Sequence, residues 1–186
     1  AIDETTAVVS VMAGNNETGT LQPIGEIGEL ARARGAAMHV DAVQAFGYER
    51  WNLSRLPVDL LSLSAHKING PQGVGLLYVR RGAPFQPLLY GGTQERARRA
   101  GTENVPGIAA FAAASEAAFR DFDERKRHVE SIRGVFLAAL GREMGENGFT
   151  VNGHADQRLP HIVNVSFPGI SSENMLMNLD LAGVAA

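Results

Sequence analysis

Residues Ala7 to Ala13 form a short apolar run that stops at the polar turn Asn15-Asn16-Glu17, and the run reads as a strand. Pro23 suits a first helical position, and Ile24, Ile27, Leu30 and Ala31 recur at helical spacing until Gly35, which predicts a helix between those limits. Strands are predicted near 37–41 and 58–63, separated by a loop containing Trp51. Val74 to Val79 is a further strand, too close behind its predecessor for a helical crossover and therefore antiparallel to it. Pro106 and Gly107 open a long alanine-rich helix whose apolar character fades at Arg120-Asp121-Phe122-Asp123. An amphipathic helix is predicted over Val129 to Met144, strands over Phe149 to Val151 and His161 to Phe167, and a last helix capped by Ser171-Ser172-Glu173. A sheet-rich part, then helices, then a small new sheet predict an α/β chain divided near residue 122.

Composition narrows the classes. The chain has 186 residues, 45% of them hydrophobic, enough for one sizeable core or one domain and part of another. A net charge of −3 offers no basic field for nucleic acid. The cluster Arg96-Ala97-Arg98-Arg99 reads as a solvated loop or a subunit contact. No apolar run reaches the roughly 18 residues of a membrane span and no signal peptide is visible, so a cytoplasmic location without a membrane partner is expected. There is no cysteine, which removes disulfides and thiolate metal sites within this sequence.

Candidate chemistry centres on Ser64-Ala65-His66-Lys67-Ile68-Asn69-Gly70-Pro71, where one lysine sits between an apolar strand and a Gly-Pro turn. A lysine aimed by a rigid strand end can form an imine with an aldehyde when desolvated; the plainer reading is a solvated lysine in a polar turn. Met38-His39-Val40-Asp41 closes another buried strand with an acid, at the end of a strand where open α/β sheets bind ligands. An imine-forming lysine together with a fixed carboxylate is the requirement of pyridoxal phosphate chemistry, in which the acid keeps the ring nitrogen protonated. Taken alone, Asp41 is equally a helix cap ahead of Ala42-Val43-Gln44.

Four blocks, Asn15-Asn16-Glu17-Thr18-Gly19, Asp41-Ala42-Val43-Gln44, Ser64-Ala65-His66-Lys67 with Gly70-Pro71, and Gly101-Thr102-Glu103-Asn104, resemble the cysteine desulfurases in order and separation. Those are fold type I (aspartate-aminotransferase-like) pyridoxal phosphate enzymes of the class V aminotransferase group, and the resemblance covers essentially the whole chain. It implies part of a large mixed-sheet cofactor-binding domain over 1–122 and part of a small α+β C-terminal domain over 123–186. It also implies pyridoxal 5'-phosphate as cofactor, L-cysteine as substrate with L-alanine as product, a homodimer, and sulfur-acceptor proteins such as an iron–sulfur scaffold as partners. Lys67 matches the Schiff-base lysine and the base that removes the α-proton. Asp41 matches the partner of the pyridine nitrogen and Gln44 the ligand of the ring hydroxyl. Ser64 and His66 match phosphate-side ligands, expected on one face of an extended segment. Asn16 matches the residue near the ring oxygen and the substrate carboxylate, and Thr102 a phosphate contact reaching into the other subunit.

The missing cysteine conflicts with an enzyme that takes sulfur onto its own thiol. In the family, a segment like Leu179 to Ala186 runs into the loop that carries that cysteine, so the sequence is expected to be an internal piece of a longer enzyme, inactive alone. Selenocysteine lyase or another class V enzyme is the rival within the group, and a non-catalytic assembly fragment the rival outside it. Of the remaining candidates, His39 reads as a satisfied core histidine, His154 and His161 as surface or structural residues without metal-ligand spacing. His128, within Glu124-Arg125-Lys126-Arg127, reads as part of a solvated helix face. Asn15 is expected to shape its turn, and Gly73 and Gly75 to allow close backbone approach near the lysine.

Overall fold

The computed structural model describes residues 1–145 and 147–186. Four strands, β1 (Val8–Met12), β2 (Ala37–Asp41), β3 (Leu60–Ser64) and β4 (Gly75–Val79), form one sheet in the order β1-β2-β3-β4. The first three are mutually parallel and β4 is antiparallel to β3, as the short connection requires. Helix α1 (Ile24–Ala33) is the crossover between β1 and β2. Pro23 sits at its N-cap and Gly35, at φ +73°, follows its end. Of the apolar positions that predicted this helix, Leu30 faces solvent at 61% exposure, while Ile24 and Ala31 are buried, as is Gly28 between them. A glycine serves at position 28 because the helix lies close there to the loop before β3, and a Cβ on Gly28 would stand 2.4 Å from the Pro57 carbonyl.

The pleat gives the sheet two unlike faces. Met38, Val40 and Leu61 point into the core with Val58 and Ala31, and Met38, Val40 and Val58 are almost wholly buried. Each such side chain contributes roughly 1.5–3 kcal/mol of burial. The opposite face carries Ser10, His39 and Ser62 in a polar row, with the exposed Val8 and Met12 on β1. The His39 Nδ1 lies 2.7 Å from Ser10 Oγ and its Nε2 3.2 Å from Ser62 Oγ, so both ring nitrogens are satisfied. Behind β4, Arg80 fastens the loop before β3, donating to the carbonyls of Leu53, Leu56 and Val58 at 2.6–2.8 Å and pairing with Asp59 at 3.7 Å.

Between the sheet and the long helices, the short helical turn α2 (Gln94–Ala97) places Glu95, Arg96 and Ala97 at φ +50°, +58° and +62°, a left-handed conformation that side chains with a Cβ seldom adopt. Helix α3 (Val105–Arg120) begins with Asn104 Oδ1 accepting the Gly107 N–H at 3.1 Å. After the single break at Asp121, α4 runs over Phe122–Met144, seven residues earlier than the apolar spacing predicts. The cause is the charged run itself: it is helical, and its polar residues carry no apolar period to mark the start. Two of its cations are half-buried and partnered. Arg125 donates to the Gly47 carbonyl and lies over the Tyr48 ring, 5.0 Å from its centroid, and Lys126 pairs with Glu49 at 3.0 Å. A two-stranded antiparallel sheet, β5 (Thr150–Val151) with β6 (Val165–Ser166), and helix α5 (Ser172–Leu181), capped by Ser171, complete the chain. Only Val165–Ser166 of the strand expected from His161 is paired, because Leu159 to Ile162 turn away to pack on the first sheet.

Candidate active site

The carboxyl ends of β1, β2 and β3 lie side by side at one edge of the sheet, and each delivers part of the predicted site. From β1 the chain passes Ala13, whose N–H donates to the Asp41 carbonyl at 2.7 Å, into the turn that holds Asn16. Asn15 builds that turn: its Oδ1 accepts the N–H of Glu17 (2.9 Å) and Thr18 (2.7 Å) and the Thr18 hydroxyl (3.1 Å). Asn16 is thereby left exposed at the rim. At the end of β2, Asp41 shares a face with His39 and is exposed. One of its oxygens accepts the Val43 N–H at 3.0 Å, shaping a turn rather than capping a helix, and Gln44 follows, half-buried, in that turn.

Lys67 is not at the strand end. It lies in a single 3-10 turn, Ala65–Ile68, that starts where β3 stops. The outer residues of this turn, Ala65 and Ile68, are buried against Phe111 and Ala118 of α3, whereas His66 and Lys67 between them are exposed. Asn69 at φ +62° ends the turn, and the Gly70 N–H returns to the Ala65 carbonyl at 2.9 Å. A Cβ on Gly70 would stand 2.8 Å from that same carbonyl, so the glycine is required there. The expectation that Ser64 and His66 share a face of an extended segment fails for the same reason: the backbone has already turned at His66. They meet nonetheless, Ser64 Oγ lying 2.7 Å from His66 Nδ1.

Thr102 stands apart. It lines a groove of about 1000 Å³ beside β4 and the start of α3, with Leu76, Leu88, Arg99 and Ile108, and none of Asn16, Asp41, Ser64, His66 and Lys67 lines it. Gly75 approaches β3 closely, its would-be Cβ 3.0 Å from the Leu63 carbonyl, whereas Gly73 serves its turn at φ +75°. His154 is structural, its Nδ1 accepting the N–H groups of Asp156 (3.1 Å) and Gln157 (2.9 Å). Among the described residues, no cluster of His, Cys, Asp and Glu is arranged to hold a metal ion.

Sequence reasoning missed the joint behind the lysine. His161 stacks on Tyr48 with ring centroids 3.7 Å apart, and its Nδ1 is buried without a partner among the described residues. Burial, then the positive charges of Arg125 and Lys67, push its pKa down to about 4. Gly47, next to Tyr48, packs against Ile68, whose neighbour is Lys67. The residues of this joint are scattered between 47 and 161, so no local spacing marks it.

The whole chain, residues 1–186, matches the class V aminotransferase family model. The chain belongs to that family. It is 49% identical over 185 residues to the putative cysteine desulfurase IscS 1 of Bacillus subtilis (strain 168), covering 100% of this chain and 48% of the relative. To the cysteine desulfurase IscS of Methanosarcina thermophila it is 45% identical over 186 residues, covering 100% of this chain and 45% of that protein. Among solved structures it is similar to a NifS-like protein, with a TM-score of 0.91 and 39% identity over 99% of this chain and 50% of the other. DndA from Streptomyces lividans gives 0.84 and 37%, over 98% and 52%. The chain therefore spans about half the length of the curated relatives it matches. Its mixed α/β architecture is that of the fold type I pyridoxal phosphate enzymes.

Proposed function

We propose that these 186 residues contribute the cofactor-binding edge of a cysteine desulfurase, which converts L-cysteine to L-alanine and passes the sulfur on. The observation that carries this reading is the convergence of Asn16, Asp41, Ser64, His66 and Lys67 on one sheet edge, in a chain whose relatives are named for that activity.

The residues fit pyridoxal 5'-phosphate by the chemistry of their donors. Among the described residues, the Lys67 amine enters no ion pair or side-chain hydrogen bond, while the other lysine of the chain, Lys126, is held by Glu49. Asp41 has committed one carboxylate oxygen to the backbone and has the other open. A free amine suits an aldehyde, a free carboxylate a protonated ring nitrogen, a neutral amide such as Gln44 a ring hydroxyl, and the Ser64–His66 pair a phosphate. When bound, the cofactor supplies an electron sink for the substrate's α-carbon. The chain's own part is then to hold and to move protons. Asp41 keeps a proton on the ring nitrogen through a charge-assisted bond. Lys67, set on a short turn anchored at both ends, takes the α-proton from the substrate. Asn16 orients the substrate carboxylate from the neighbouring loop.

Sulfur needs a thiol to receive it. These residues contain no cysteine, so that thiol lies outside them in the proposed enzyme. Thr102, exposed and apart from the edge, is assigned to the phosphate of a second subunit in a homodimer, and a cytoplasmic setting is part of the same proposal. The test is alanine formation from L-cysteine by a full-length form carrying these residues, with pyridoxal phosphate and a thiol reductant. Turnover that disappears in Lys67→Ala supports the reading. Turnover undiminished in that variant, or none in a wild type that binds the cofactor, overturns it.

A further inference from the structure

Arg158 is a buried cation. It is 8% exposed and joins no ion pair among the described residues. Its Nη2 donates to two backbone carbonyls, Thr18 at 3.3 Å and Ile162 at 3.2 Å, and its Nε is buried without a partner among the described residues. Burying a guanidinium on those terms is unfavourable, and an apolar side chain of similar volume would fill the space with less desolvation. What the guanidinium adds is a fixed link between two carbonyls.

One of those carbonyls belongs to the loop that carries Asn16. Residues after α4 grip that loop along its length: Leu159 N–H donates to the Gly19 carbonyl at 2.7 Å, and Leu21 N–H to the Gln157 carbonyl at 2.9 Å. The His154 N–H also reaches Thr20 Oγ1 at 3.1 Å. Leu159, fully buried, occupies the space a side chain on Gly14 would need, with its Cδ1 2.6 Å from the would-be Cβ. The second carbonyl, of Ile162, follows directly on His161, the ring stacked on Tyr48. A single guanidinium thus ties the Asn16 loop to the segment that packs behind Lys67. Asn16 itself is exposed and its side chain is held by no hydrogen bond among the described residues, so its direction depends on its loop.

We propose that Arg158 is a positioning residue for Asn16: by bridging the Thr18 and Ile162 carbonyls it sets the loop from which Asn16 meets the cofactor ring oxygen and the substrate carboxylate. This rests on the reading of Asn16 given above. Arg158 touches neither group.

A double-mutant cycle tests it in a full-length form carrying these residues, using Arg158→Met, Asn16→Ala and the pair. The measurements are the visible absorption band of bound pyridoxal phosphate, its Kd, and KM and kcat for L-cysteine. Arg158→Met is expected to raise KM about tenfold with kcat within about twofold, and to move the band in the same direction as Asn16→Ala. In the Asn16→Ala background it is expected to add less than about twofold, since the two residues act as one unit. Arg158→Lys keeps the charge without the fork and falls between, and it carries the same cycle if the methionine variant fails to fold. Effects on KM that multiply, or a variant that melts earlier with band and KM unchanged, overturn the proposal. A wild type that binds the cofactor without consuming cysteine refutes the desulfurase reading instead, and the absorption-band cycle still decides the role of Arg158.

Discussion

Replacing His161 by phenylalanine keeps a flat ring against Tyr48 and removes the titration. At pH above 6.5 the wild-type imidazole is neutral both folded and unfolded, so it contributes no pH dependence. As the pH falls below 6.5, the unfolded chain takes up a proton there, whereas the folded chain refuses it until about pH 4. Over that window the unfolded state binds more protons, so stability falls with falling pH and levels off below about 4. The full interval corresponds to about 3 kcal/mol. His161 is only partly buried, and solvent screening of the Arg125 and Lys67 charges reduces the expected loss to about 1–2 kcal/mol. The assay is urea denaturation of a folded form carrying residues 1–186, at pH 7.5 and 4.5, for wild type and His161→Phe. Carboxylates protonate alike in both proteins, so the difference between the two pH losses isolates the histidine. The wild type is expected to lose about 1–2 kcal/mol more than the variant, and the NMR titration of the His161 ring to show a midpoint near 4. Equal losses in both, or a midpoint near 6.5, would refute the burial argument.

Three further outcomes are expected. Borohydride reduction of the cofactor-loaded full-length form is expected to fix the label on Lys67 and leave Lys126, which is paired with Glu49, unmodified; peptide mapping that finds it on Lys126 reverses the assignment. Asp41→Asn is expected to slow α-proton removal by about two orders of magnitude, and Gln44→Ala chiefly to shift the cofactor absorbance, since a charge-assisted bond outweighs a neutral one; comparable rate losses in stopped-flow traces contradict that ranking. Gly28→Ala gains about 1 kcal/mol of helix propensity but drives a Cβ to 2.4 Å from the Pro57 carbonyl, so a net destabilisation of about 1–2 kcal/mol is expected on denaturation, and an increase in stability would show that α1 shifts freely.

Much of the sheet was legible because its signals are local. An apolar run that ends in Asp41 or at Ser64, a short link before Gly75 and a glycine after α1 each act within a few residues, and strands and turns form from such neighbours. The four motif blocks were legible likewise, as strings of adjacent residues. Where the reading failed, the deciding partner was remote. Leu30 has the right period for the core but faces water, because α1 turns Ile24, Gly28 and Ala31 inward, with Gly28 pressed against Pro57. The charged run of α4 looked solvated because nothing near it shows that Gly47 and Glu49, more than seventy residues earlier, take Arg125 and Lys126.

The sequence by itself determined where the strands end and which candidate residues stand at those ends, since each strand end is written in its own few residues. Only the tertiary structure decided how those residues are held. The 3-10 turn that presents Lys67 exists because Ala65 and Ile68 find buried places beneath α3, and the Asn16 loop is gripped because Arg158 and Leu159, some 140 residues later, return to it. Such contacts rest on the burial of side chains against distant partners, which depends on where the chain comes back in space and leaves no periodic trace along it.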